Sequence, residues 1–144
     1  MLAFGAALAR NLVAGDVIAL RGGLGAGKTT LARGLLSALG LGEEAPSPTF
    51  AIVQPYASPE VRIAVAHVDL YRIEQAEEAE ELGLDEYLAD GALIIEWPER
   101  LGGRLWADAL ILDIAVRDEC VRCLTATVPP AWKRLCWWRV TPTL

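Results

Sequence analysis

Apolar residues in this chain fall into short blocks whose period changes along its length. In MLAFGAALARNL, Phe4, Leu8 and Leu12 recur every four positions, as on one face of a helix. DVIALRG is a continuous apolar run and reads as a buried strand. The glycine turn after it opens a helix from about Lys28 to Leu39. GLGEEAPSPT is rich in Gly, Pro and Ser and reads as a loop. TFAIVQPY and VRIAVAHVDLY are β-branched runs joined by ASPE, consistent with a hairpin. IEQAEEAEELGLDEYL has a helical composition with a break near Gly83, and ALIIEWPE is a further buried strand ended by Pro98. ALILDIAV and CVRCLTATV form a closing pair of strands around RDE. PPAWKRLCWWRVTPTL predicts a short helix and a frayed tail.

Strands alternating with helices predict an α/β fold whose mostly parallel sheet carries antiparallel strands at its edge. No repeat or low-complexity segment divides the chain. Its 144 residues are therefore expected to form one domain, with about 128–144 as a tail.

Composition narrows the function. Thirteen Lys and Arg against nineteen Asp and Glu give a formal charge of −6. Tight binding of nucleic acid by the chain alone would need a basic stripe that these totals do not offer. No apolar run approaches the ~20 residues of a membrane span. The opening lacks the basic segment of a secretion signal. Three cysteines suggest no disulfide framework, so the expected compartment is the cytoplasm.

The strongest chemical signal is GGLGAGKTT. Gly22, Gly27, Lys28 and Thr29 satisfy G-x-x-x-x-G-K-[ST], between a strand and an amphipathic helix, which is the context the motif requires. Its glycines let backbone N–H groups turn inward around an anion, and the helix adds its positive end. Gly23, Leu24, Gly25, Ala26, Gly27, Lys28, Thr29 and Thr30 are therefore the candidate nucleotide-binding residues. Lys28 would reach the β- and γ-phosphates, and the Thr29 hydroxyl a Mg²⁺ ion. Such a loop also needs a carboxylate at the end of a neighbouring strand. AVAHVDLY offers Asp69 and ALIIEWPE offers Glu96, both expected at the sheet rim where ligands bind. A single such acid could simply cap a strand; two in one domain favour a metal or catalytic role. Thr49, in the loop after the helix, is a further candidate for the γ-phosphate.

GGLGAGKTT, SPTF, HVDLYR, ELGLDEYL and IIEWPER together resemble the bacterial TsaE (YjeE) family, over roughly residues 1–127. The resemblance implies a P-loop NTPase-like three-layer sandwich. It also implies binding of ATP and Mg²⁺, weak ATP hydrolysis alone, and action with the partners TsaB and TsaD. That assembly transfers a threonylcarbamoyl group to the adenosine beside the anticodon in tRNAs reading codons that begin with A. The tRNA would be held mostly by the other subunits. By motif, Lys28, Asp69 and Glu96 take catalytic roles. Thr29, Glu96 and Asp69 stand near the metal, and Trp97, the tryptophan of E-W-P, is a candidate nucleotide-binding residue. The chain departs from the family in three ways. Gly23 stands where Asp is usual, the family begins further upstream with a short strand and a Ser or Thr near the position of Met1, and residues past Thr127 are not family-like.

Other features carry less. Cys120 and Cys123 form a C-x-x-C without a second pair, and read as ordinary cysteines of a strand-like run. Glu74, Glu77, Glu78, Glu80 and Glu81 read as a solvated helix face, or less readily as a docking surface. Arg100 and Arg104 read as surface residues. Trp132, Trp137 and Trp138 suit either an interface or a tail covering the core. Arg117 and Arg122 lie near the last strand turn, where a nucleotide base could approach. Two other functions fit the P-loop: a small-molecule kinase and a nucleotide-gated binding module. No arginine-rich lid segment follows the third strand, as a kinase would need.

Overall fold

The computed structural model describes residues 2–42 and 52–132. Its elements are α1 (Leu2–Ala9), β1 (Val17–Arg21), α2 (Lys28–Ala38), β2 (Val53–Tyr56), β3 (Ala64–Asp69), α3 (Ala76–Glu80), α4 (Leu84–Tyr87), β4 (Gly91–Glu96), β5 (Leu110–Val116) and β6 (Arg122–Thr127). A 3₁₀ segment, Pro98–Arg104, links β4 to β5, and a 3₁₀ turn, Pro130–Trp132, follows β6.

The strands lie side by side in the order β2-β3-β4-β1-β5-β6. β3, β4, β1 and β5 are mutually parallel, while β2 and β6 run antiparallel at the two edges. The central strands are apolar runs because both of their faces are covered. All six residues of β4 are buried. β2 accommodates Pro55 because an edge strand can leave one N–H position empty. The fold is therefore the three-layer α/β sandwich expected, with antiparallel strands at both edges rather than one.

Alternation assigns the two layers. Val65, Ala92, Ile94, Ile18, Leu20 and Leu112 point to the side where α1 and α2 pack. Ala66, Val68, Leu93 and Ile95 point to the side covered by α3, α4 and the 3₁₀ segment. The helix break near Gly83 is present: Gly83 has φ +62 between α3 and α4. Trp132 is 1% exposed in the core, with its indole N–H donating to the Asp108 carbonyl at 2.9 Å. Trp132 thus covers the core; Trp137 and Trp138 lie outside the described residues. No helix among the described residues is long and apolar enough to cross a membrane.

Two expectations change. Cys120 does not share a strand with Cys123. The Asp118 Oδ1 accepts the N–H groups of Cys120 (2.8 Å) and Val121 (2.9 Å), holding a turn that delays β6 until Arg122. The acidic helix is also less free than a solvated face, since Arg104 pairs with Glu77 at 3.3 Å and Glu80 at 2.8 Å. Both pairs are exposed, so they orient the 3₁₀ segment more than they stabilise the fold.

α1 crosses α2 with almost no side chain between the backbones. A Cβ at Gly5 would run into the Leu31 carbonyl oxygen and lie 2.8 Å from the Leu35 nitrogen, while one at Gly34 would lie 2.5 Å from the Leu2 oxygen. Gly5→Ala should therefore lower stability although alanine favours helix. The propensity gain is about 1 kcal/mol, and forcing two backbones apart costs about 1–3 kcal/mol, toward the upper end here because neither backbone can yield. A fall of several degrees in melting temperature is expected. A higher melting temperature would contradict this close contact.

Candidate functional site

β1 ends at Arg21 and the chain turns through Gly22 (φ +152), Gly25 (φ +75) and Gly27 (φ +113) before α2 begins at Lys28. Gly22 is constrained by contact as well as by angle: a Cβ there would lie 2.7 Å from the Ile114 oxygen. Gly23 is open, with nothing among the described residues within 4 Å of a Cβ, so a side chain such as Asp would have room there. The loop surrounds the N-terminus of α2, where unpaired N–H groups and the helix dipole favour an anion.

A pocket of about 330 Å³ opens over this loop. Leu24, Gly25, Ala26, Gly27, Lys28, Thr29 and Thr30 form one wall, and Asp69, Tyr71, Glu96 and Trp97 the other. The second wall assembles because β3 and β4 run in parallel and Asp69 is paired in register with Glu96. β4 in turn lies beside β1, with Leu20 opposite Glu96. Glu96 therefore stands next to the P-loop, and Asp69 one strand further away.

The side chains divide accordingly. The Thr29 hydroxyl donates to Glu96, 3.0 Å from Oε1 and 3.2 Å from Oε2. Asp69 instead accepts the Tyr71 N–H at 2.9 Å. The Lys28 ammonium is folded back on its own loop, donating to the Gly22 carbonyl at 2.6 Å and the Gly23 carbonyl at 2.9 Å. Trp97 closes over it, its ring centroid 4.2 Å from Nζ. Trp97 reaches this position because its backbone is left-handed (φ 60, ψ 50), an unusual and costly state for a residue with a side chain. The Tyr71 ring packs on Trp97 at 5.0 Å.

Electrostatics follow from burial. Burial lowers the Lys28 pKa, and the charges of Glu96, Glu99 and Asp69 pull it back up. Burial raises the Asp69 pKa; the Tyr71 N–H opposes this, Glu96 adds to it, and His67 and Lys28 also oppose it. The donor set near Thr29 is all oxygen, which suits Mg²⁺. A hard cation here would take the Thr29 hydroxyl and the Glu96 carboxylate and complete its shell with phosphate and water.

Of the residues expected from the sequence, all but two line this pocket. Gly23 contributes its carbonyl to Lys28, and Thr49 lies outside the described residues. Two neighbours were not singled out for the site. Tyr71 lines it, and His67, fully buried, contacts Glu96 Oε2 at 2.7 Å. Both lie within HVDLYR, and the alternation of that strand puts His67 and Asp69 on one face. Arg122, noted near the last turn, approaches the loop from behind: its Nε–H donates to the Ala26 carbonyl at 3.2 Å.

A family model described as threonylcarbamoyl adenosine biosynthesis protein TsaE matches residues 1–123. A Streptomyces coelicolor protein named tRNA threonylcarbamoyladenosine biosynthesis protein TsaE is 42% identical over 132 residues, covering 88% of this chain and 89% of its own. A Bacillus subtilis protein of the same name is 37% identical over 124 residues, covering 85% of this chain and 76% of its own. The crystal structure of Bacillus subtilis YdiB superposes with a TM-score of 0.77 at 30% identity, covering 96% of this chain and 86% of that one. With the family model matching residues 1–123, these relatives 37–42% identical over most of the chain and the fold in agreement, the chain belongs to the TsaE family.

Proposed function

We propose that this chain binds ATP with Mg²⁺ and hydrolyses it as a subunit of the machinery that makes threonylcarbamoyladenosine in tRNA, working with TsaB and TsaD proteins. The observation that carries the ATPase reading is the contact between the Thr29 hydroxyl and the Glu96 carboxylate beside a buried P-loop lysine. Lys28 would exchange the Gly22 and Gly23 carbonyls for phosphate oxygens, at little cost in hydrogen bonds. Loop N–H groups and the α2 terminus would hold the same phosphates. Thr29 and Glu96 would hold Mg²⁺, which supplies neutralisation of the charge that develops on the phosphates.

Asp69 is the better candidate to orient the attacking water and take its proton. It lies one strand away from the residues proposed for the metal, and a raised pKa makes its carboxylate a stronger base. The acidic balance of the chain leaves tRNA to the partners.

The test is ATP hydrolysis in Mg²⁺ by the chain alone and with purified TsaB and TsaD. Low turnover that rises with the partners is expected. Turnover indifferent to them would contradict the complex and favour an independent hydrolase or a kinase.

A further inference from the structure

We propose that His67 is a positioning residue for Glu96: its Nε2–H fixes one carboxylate oxygen, so that the other faces Thr29 and a divalent cation bound with the nucleotide. The inference rests on the reading of the site as a Mg²⁺–nucleotide site. His67 is paired in register with Ile94, and Glu96 is two residues beyond on the same face of β4. The ring and the carboxylate therefore meet on the side toward α2. Their contact, 2.7 Å, is shorter than either contact of the Thr29 hydroxyl with Glu96, at 3.0 and 3.2 Å.

Core packing does not account for this histidine. It is 0% exposed among aliphatic residues, and its Nδ1 has no hydrogen-bond partner among the described residues. A stranded ring nitrogen costs free energy that an aliphatic side chain of similar size would not. What the ring provides is its hydrogen bond to Glu96, and an ionised acceptor at that point puts the proton on Nε2. Glu96 needs such a clamp. The terminal torsion of a glutamate is broad, and the Thr29 hydroxyl lies within reach of both oxygens without selecting one. Groups that orient a ligating carboxylate from behind typically govern metal affinity by about 10–100-fold.

The test is calorimetric binding of a non-hydrolysable ATP analogue, with and without Mg²⁺, to wild type, His67→Leu and His67→Gln. Glutamine can place an amide N–H close to where Nε2 lies, whereas leucine fills the space without a donor. In wild type, Mg²⁺ should raise affinity for the analogue. His67→Leu should lose about tenfold or more of that gain while keeping its metal-free affinity, and His67→Gln should recover most of it. The inference is overturned if His67→Leu keeps the full gain, if it loses metal-free binding equally, or if glutamine does no better than leucine. If wild type itself shows no Mg²⁺ dependence, the reading of the site fails and takes this inference with it.

Discussion

Replacing Lys28 with alanine is expected to weaken ATP binding about a hundredfold or more while leaving the fold intact. The side chain is 6% exposed and sits at the convergence of the loop carbonyls, the Trp97 ring and the carboxylates of the opposite wall. A buried ammonium of this kind is the only cation among the described residues lining the pocket. Removing one partner of a desolvated charge pair costs about 2–5 kcal/mol, so the dissociation constant should rise about a hundredfold or more. Alanine is a good helix former at the first position of α2, so circular dichroism should be unchanged. Calorimetric titration with ATP and Mg²⁺ checks both. Retained micromolar affinity in a folded variant would remove the P-loop reading altogether.

Asp69→Asn separates binding from chemistry. Asparagine keeps an oxygen that can accept the Tyr71 N–H, and so can keep the geometry at the end of β3, but cannot take a proton from water. ATP affinity should stay close to wild type while turnover falls by about 10²–10⁴-fold, the usual contribution of a positioned base. In wild type the base must be ionised. Because burial raises its pKa, activity should be lost, as pH falls, at a higher pH than an unburied aspartate would give. That limb should vanish from what activity remains in the variant. The fold should not suffer. A carboxyl whose pKa is raised on folding weakens the folded state as pH rises through that value, and the neutral amide carries no such cost. Unchanged turnover with ATP still bound would show that Asp69 is not the base.

Much of the site was legible because its residues belong to strand ends and to one loop, where sequence order becomes spatial order. The strand reading of ALIIEWPE and AVAHVDLY was enough to bring Glu96 and Asp69 to one rim. Which acid stands beside Thr29 was not legible, since that depends on the order β3-β4-β1, a property of long-range pairing. His67 was hidden for a related reason. A lone histidine in an apolar strand carries no partner in its own sequence, and Glu96 lies 29 residues away. Trp97 was expected near the nucleotide from its motif, but its left-handed backbone could not be inferred from a tryptophan before a proline. The C-x-x-C misled because a side chain, Asp118, rather than strand propensity, decides where β6 begins.

The glycine crossing of α1 on α2 has a mechanical meaning. Side chains in a packed core can change rotamer and absorb small displacements, but two helix backbones in direct contact have no such cushion. α2 begins at the glycine loop, so the loop is mounted on a helix whose backbone is in direct contact with another. On the opposite wall, Trp97 is held in an unfavourable conformation and Tyr71 is 44% exposed. From Trp97 the chain runs through the 3₁₀ segment to Arg104 and its two glutamates on α3. The fold thus sets a stiff wall against one with more room to adjust, and if a nucleotide binds here the adjustment is expected on the Trp97 side.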